Sequence, residues 1–393
     1  MAQLDPEIRP MFNFIAHNTT KIHFGKNQIA KLSKEVPKDA RLLFVYGGGS
    51  IYKNGIYQQV KAALGDRFVI EFRGIEPNPK YSTVIEAVSV VKQNQIDFIL
   101  AVGGGSVIDA CKFIAAASQF EGEDPWDICA KQVRISQALP LGVVLTLPAT
   151  GSETNTTSII TRGNHKLPFM SPKVRPVFAI LDPEATYSLS PRQLGNGVVD
   201  AFVHTMEQYL TYPVNAAISD RFAESILLTL IEEGPRVLDD EPDYDNRANI
   251  MWSATQALSG LIACGVPQDW STHMIGHELT ALYNIDHART LSLILPSVMR
   301  VCRESKREKL IQYAQRVWNL QDENEDNLIE EAINLTEIFF SNMGLPVRLS
   351  EVNLDENNFD EIILNLKKHG MTKLGEHGSL DIEKIRSVLS HSI

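Results

Sequence analysis

The hydrophobic and polar positions of this chain fall into two regimes. Up to about residue 185, short apolar runs alternate with stretches of helical periodicity. Lys21 to Phe24, Arg41 to Tyr46, Phe68 to Phe72, Phe98 to Val102, Gly142 to Leu147 and Val177 to Leu181 read as strands. The later ones are continuous apolar runs, the pattern of strands covered on both faces of a parallel sheet. Between them, Tyr57 to Leu64, a stretch capped by Ser82 and running to about Asn94, and Val107 to Ala117 read as helices. Strands separated by helices predict an open, Rossmann-like parallel α/β sheet.

After Asp182-Pro183 the strand signals nearly vanish. Helices are expected over Pro191 to Tyr209, Ser219 to Glu232, Asn246 to Ile262, Trp270 to Tyr283, Arg289 to Val301 and Lys306 to Val317. Asn327 to Met343, Glu356 to His369 and Asp381 to Ser390 complete the set. This shift divides the chain into an α/β domain, residues 1–186, and an all-α domain, residues 187–393. No internal repeat, low-complexity tract or flexible linker interrupts it.

Composition narrows the class. A chain of 393 residues, 44% apolar and 22% charged, has ample core for a globular protein. A net charge of −11 argues against nucleic-acid and anionic-membrane partners. No apolar run reaches membrane-spanning length, and the start of the chain lacks the apolar core of a signal peptide. Cys111, Cys129, Cys264 and Cys302 are widely separated and form no CxxC, so reduced buried thiols in a cytoplasmic protein are expected.

Candidate chemistry concentrates between Asp269 and His287, which hold three of the ten histidines. His273 and His277 are four apart, one turn apart on a helix that Asp269 can cap and Asn284 can end. His287 follows the turn. Upstream, Asp200 and His204 share the same spacing on a helix opened by Ser190-Pro191. Each pair alone is as well explained by core packing or a helix-stabilising contact. Two pairs and a further His on separate segments suit convergence on one divalent metal. The sequence is not His-Glu-x-x-His, because Met274 follows His273, which disfavours a zincin protease.

The first half offers a nucleotide site. Gly103-Gly-Gly-Ser106 ends one strand and opens a helix, with Asp109 and Lys112 in its first turns. Glycines let backbone approach a pyrophosphate, and free amides there favour anions. The third glycine of the usual dinucleotide fingerprint is missing, so a tight strand-to-helix turn would explain this cluster alone. Gly47-Gly-Gly-Ser50 and Pro148-Ala-Thr-Gly-Ser-Glu153 follow two other strands, and in an open α/β sheet all three loops share one edge. The turn formed by Gly47, Gly48, Gly49 and Ser50 carries no carboxylate for a ribose 2′-hydroxyl. NADP(H) is therefore preferred to NAD(H), with Ser50, the glycine amides and Lys53 near its 2′-phosphate.

These residues carry a family resemblance. Phe24-Gly25-Lys26, Tyr46-Gly-Gly-Gly-Ser50, Gly74-Ile-Glu-Pro-Asn-Pro79, Ala101-Val-Gly-Gly-Gly-Ser106, Leu145-Thr-Leu-Pro-Ala-Thr-Gly-Ser-Glu153, Asn196-Gly-Val-Val-Asp-Ala-Phe-Val-His204 and Gly265-Val-Pro-Gln-Asp-Trp270 run nearly end to end. With the three-histidine stretch, the chain resembles the iron-containing, group III alcohol dehydrogenases. It is most similar to their NADPH-dependent butanol dehydrogenase and broad-range aldehyde reductase branch. The resemblance implies the dehydroquinate synthase-like two-domain architecture with a cleft between the domains. It implies metal ligands at Asp200, His204, His273 and His287, holding iron or zinc. It places the nicotinamide cofactor against Gly103, Gly104, Gly105, Ser106 and Asp109, with contacts from Thr146, Thr150 and Lys166. His277 falls beside the nicotinamide, either relaying a proton or packing on the cofactor. The reaction implied is metal-assisted hydride exchange between NADP(H) and a small aldehyde or primary alcohol, in a homodimer. A dehydroquinate-synthase-like lyase shares this architecture, but its polyanionic substrate needs a basic pocket, and the metal-site helices carry few Lys or Arg. A nucleotide-binding regulatory module with structural histidines is the remaining alternative.

Overall fold

The computed structural model describes residues 9–393. The chain forms two compact units, each built from more than one segment. The first to be described contains residues 17–190 and 241–255. Its centre is a six-stranded parallel sheet built from β1 (Lys21–Phe24), β2 (Arg41–Tyr46), β3 (Phe68–Arg73), β4 (Phe98–Gly104), β5 (Leu141–Leu147) and β8 (Phe178–Leu181). In space the order is β1-β8-β5-β4-β2-β3. The central strands are almost wholly buried because apolar side chains are covered on both faces: Leu43, Val45, Ile99 and Val143 on one, Leu42, Phe44, Leu100 and Val144 on the other. The helices α1 (Ile56–Leu64), α2 (Tyr81–Gln93) and α3 (Gly105–Ala117) form the connections.

An antiparallel hairpin, β6 (Thr157–Arg162) and β7 (His165–Met170), was not expected from the apolar pattern. Its turn is Gly163-Asn164, with Gly163 at φ 60, a conformation a two-residue hairpin turn uses. The boundary expected at 186/187 is a single cut, whereas the chain passes between units at 16/17, 190/191, 240/241 and 255/256. The reason is local. In α6 (Tyr244–Ala257), Trp252 packs edge-on against Phe24 at 5.7 Å and Thr255 donates to buried Glu153 at 2.6 Å. Those contacts tie α6 to β1 and to the loop after β5.

The second unit contains residues 9–16, 191–240 and 256–393. Its helices are α4 (Pro191–Tyr209), α5 (Ala217–Glu233), α7 (Ser271–Tyr283), α8 (His287–Val301), α9 (Arg307–Arg316), α10 (Glu325–Asn342), α11 (Phe359–Lys368) and α12 (Ile382–His391). One of its cores packs Ile275 and Leu279 of α7 with Leu293 and Ile294 of α8, Ile362 and Leu366 of α11, and Ile385 and Leu389 of α12. The N-terminal segment belongs here because Arg9–Pro10 pairs with Val214–Asn215 and Phe12 donates to Gly265 O at 3.0 Å. The four thiols are unbridged; Cys111 and Cys129 are buried, while Cys264 and Cys302, expected to be buried, are only partly so. Among the described residues no helix is long and apolar enough to cross a membrane.

Candidate metal centre and nucleotide edge

Helix α4 places Asp200, His204 and Glu207 on one face, at i, i+4 and i+7. Across from it, α7 carries His273 and His277, and α8 starts at His287. Asp269 does not cap α7 as its sequence position suggested. Trp270 occupies that place with φ 70, and Asp269, one residue further out, accepts from the Ser271 amide at 2.7 Å. Asn284 does end α7, with φ 55 and its amide on Thr280 O. His287 is held at the start of α8 by the preceding Asp286. That carboxylate accepts from Arg192 at 2.8 Å and Asn196 at 3.0 Å, both on α4.

The ligating atoms of buried Asp200, His204 and His273 all lie within 4.8 Å of one another. His204 Nε2 is 3.8 Å from Asp200 Oδ1, and His287 Nε2 is 3.7 Å from the same oxygen. Donors ~2.1 Å from an ion at tetrahedral angles lie ~3.4 Å apart, so these separations suit a shared cation. His287 meets the set through Asp200 and stands slightly outside the three-residue group. The rings form a continuous cluster: His204 stacks on His273 at 4.6 Å, and His287 lies 5.2 Å from His273 and 5.1 Å from His277. Asp200 Oδ1 is buried and has no hydrogen-bond partner among the described residues, as a carboxylate oxygen reserved for a cation would be. One carboxylate and three imidazoles fit a divalent transition metal.

Glu207 was not singled out from sequence, although its i+7 spacing from Asp200 was a signal. Its carboxylate bonds His273 Nδ1 and accepts from the amides of Thr272 at 2.6 Å and His273 at 3.3 Å. Burial, and then the charge of Asp269, pushes the Glu207 carboxyl up to about 8. With Nδ1 bonded to Glu207, Nε2 would be the metal-binding nitrogen. A carboxyl group bonded to the far nitrogen of a ligating imidazole fixes the orientation of the ring.

In the sheet unit β2, β4 and β5 are neighbours and parallel, so the turns after them share the carboxyl edge. Gly103 and Gly104 prove to be the last residues of β4, and Gly105 and Ser106 already belong to α3. The junction is this tight because only glycine fits: a Cβ on Gly103 would meet Val107 at 2.6 Å, and one on Gly105 would meet Thr150 Oγ1 at 2.5 Å. After β2, Gly49 has φ 96 and leads into a short helix at Ser50. Gly48 is exposed, with nothing within 4 Å of an added Cβ.

Asp109 accepts from Ser152 Oγ at 2.6 Å and the Ile159 amide at 3.1 Å. Burial raises its pKa, against the opposing charges of Lys112 and Lys166. Lys112 is fully buried and donates, at 2.8 Å each, to Ser152 Oγ, Asn155 Oδ1 and Thr157 O. Burial pushes its ammonium down to about 8, against the pull of Asp109 and Glu153. Lys112 therefore pins the loop after β5 to α3. Thr146 lies half-buried near the end of β5, Thr150 in the loop beyond it, and Lys166 buried in β7.

Residues 19–183 match the family model described as iron-containing alcohol dehydrogenase, and residues 196–392 match its C-terminal counterpart. The chain belongs to the iron-containing alcohol dehydrogenase family. It is 53% identical over 382 residues, 96% of this chain and 99% of the relative, to the NADPH-dependent aldehyde reductase YqhD of Escherichia coli K12. It is 38% identical over 390 residues, 98% of this chain and 100% of the relative, to the probable NADH-dependent butanol dehydrogenase 1 of Bacillus subtilis. The crystal structure of E. coli K-12 YqhD superimposes with a TM-score of 0.97 at 51% identity, covering 98% of this chain and all of that one. For butanol dehydrogenase A of Thermotoga maritima the TM-score is 0.93 at 35% identity, covering 98% and 99%.

Proposed function

We propose that this protein is a metal-dependent, NADP(H)-using oxidoreductase that chiefly reduces small aldehydes to primary alcohols. The observation that carries the reading is the convergence of Asp200, His204, His273 and His287 around the buried, hydrogen-bond-free Asp200 oxygen. Those four residues would hold one iron or zinc ion, with Glu207 behind His273. Such an ion supplies Lewis acidity that polarises a carbonyl group. The nicotinamide supplies the hydride. One carboxylate against a divalent charge leaves the site net positive, suited to a developing oxyanion.

The nucleotide would lie along the carboxyl edge, against Gly103 to Ser106 and Asp109, with Thr146, Thr150 and Lys166 adjoining. Gly47 to Ser50 would receive the 2′-phosphate. The carboxylate-free turn and the 53% identical NADPH-dependent relative support this choice over NAD(H). His277 is buried in the ring cluster without being needed as a ligand. It is assigned to delivering the proton that the reduced product requires, through a hydroxyl or water. A cytoplasmic homodimer is the proposed setting. A cyclising lyase loses ground because the family match and the similar reductases point to redox chemistry instead. Steady-state oxidation of NADPH with a panel of aldehydes tests the reading. Sustained, stoichiometric alcohol formation is expected, and its absence with every aldehyde would refute it.

A further inference from the structure

A buried charge cluster lies behind the candidate metal centre. Lys306, 4% exposed at its side chain, is 2.7 Å from Asp269 and 2.8 Å from Glu376, and donates to Leu210 O at 2.7 Å. All three ionised side chains are buried, at 4–5% exposure. Asp269 is tied into the segment that leads to His273. Its amide donates to Glu207 O at 2.9 Å, and its carboxylate accepts from the Ser271 amide at 2.7 Å. Trp270, between those two anchors, holds φ 70, a left-handed conformation that disfavours a large side chain and needs its surroundings to enforce it. The indole ring packs edge-on against His273 at 5.4 Å and His204 at 6.2 Å. The next amides, Thr272 and His273, end on the Glu207 carboxylate.

We propose that Lys306 is a positioning residue for the metal centre. Its ion pair with Asp269 fixes the strained Trp270 turn and so sets where His273 and its Glu207 partner present themselves. The inference rests on the metal reading above. A loosened turn lets the His273 ring depart from the direction shared with His204 and Asp200, and the expected consequence is weaker, distorted metal binding. Residues that orient a ligating imidazole from behind typically change metal affinity 10- to 100-fold when lost.

The test compares Lys306→Met and Asp269→Asn with Lys309→Met in the full-length protein. Lys309 is equally buried and pairs with Asp220 at 2.5 Å, but that pair makes no bond to the 269–273 segment. Affinity for Zn²⁺ is read by chelator competition, ligand geometry by the visible spectrum of the Co²⁺-loaded protein, and stability by thermal melting. Lys306→Met and Asp269→Asn should bind Zn²⁺ about 10- to 100-fold more weakly, with altered Co²⁺ bands. Lys309→Met should lower the melting temperature while keeping parent affinity and spectrum. Should Lys306→Met fail to fold, Asp269→Asn, which keeps the side-chain volume, decides the matter alone. Equal affinities and spectra in all variants, or equal losses in the Lys309 control, overturn the proposal. If the parent protein itself binds no equivalent of metal, it is the metal reading that fails.

Discussion

Gly48→Asp probes the choice of cofactor with little steric confusion. The position is exposed, an added Cβ meets nothing within 4 Å, and its backbone is outside the positive-φ region that disfavours side chains. The new carboxylate would face the doubly charged 2′-phosphate. At ~5 Å in a solvent-rich medium of effective dielectric ~60, a −1/−2 pair repels by ~2 kcal/mol, or ~30-fold. The same carboxylate can accept from the ribose hydroxyls of NADH, adding ~1 kcal/mol in its favour. The ratio of kcat/KM for NADPH over NADH should therefore fall ~100-fold at low salt, and less at ionic strengths where the Debye length shrinks below ~10 Å. The matched control is Gly49→Ala. At φ 96, with the Tyr52 ring 3.3 Å from its Cβ, it strains the turn and should lower both cofactors alike. Steady-state kinetics with both nucleotides at two salt concentrations gives the answer. A parent enzyme indifferent to the 2′-phosphate, or a Gly48→Asp variant that loses both cofactors equally, would refute the reasoning.

Three further outcomes are expected. His287→Ala removes the donor 3.7 Å from Asp200 and should cut turnover ~100-fold or more, with a near-parent circular dichroism spectrum; full activity at reduced metal content would contradict it. His277→Ala should retain one equivalent of metal by elemental analysis and lose kcat, with KM for NADPH little changed; a risen KM with kcat intact would mean that the ring packs on the cofactor. Asp124, bonded by Tyr81 and Arg162, has its carboxyl lowered to about 2, so its stabilisation is present above its ordinary pKa and is lost as pH falls from about 4 towards 2. Because that side chain is 43% exposed, the contribution is discounted for solvent screening to ~0.5 kcal/mol, and Asp124→Asn should lower stability by that much at pH 7 but not at pH 2, by urea titration.

Much of the architecture was legible because apolar periodicity and punctuation agreed. The strands at Lys21–Phe24 and Arg41–Tyr46 and the helix at Pro191–Tyr209 have the bounds their patterns predicted. The hairpin escaped because the apolar runs of β6 and β7 are short and broken by polar residues, although the Gly163-Asn164 turn was a signal in plain view. The fourfold spacings of Asp200 with His204 and of His273 with His277 fall on α4 and α7, and there Asp200, His204 and His273 come together. What spacing could not reveal was support from afar. Lys306 reaches Asp269 from 37 positions along the chain, and Glu376 reaches Lys306 from 70, relations that only tertiary packing creates. The transfer of residues 241–255 to the sheet unit was hidden for the same reason, since α6 looks like any other helix of the second half.

In the proposed reaction, metal and nicotinamide act together on an aldehyde. The most direct test follows NADPH oxidation in the presence of a short-chain aldehyde, first in protein stripped of metal by a chelator and then after adding back one equivalent of Fe²⁺ or Zn²⁺. Turnover should vanish on stripping and return with the stoichiometric ion. Undiminished turnover in protein shown by elemental analysis to be free of metal would show that no ion takes part.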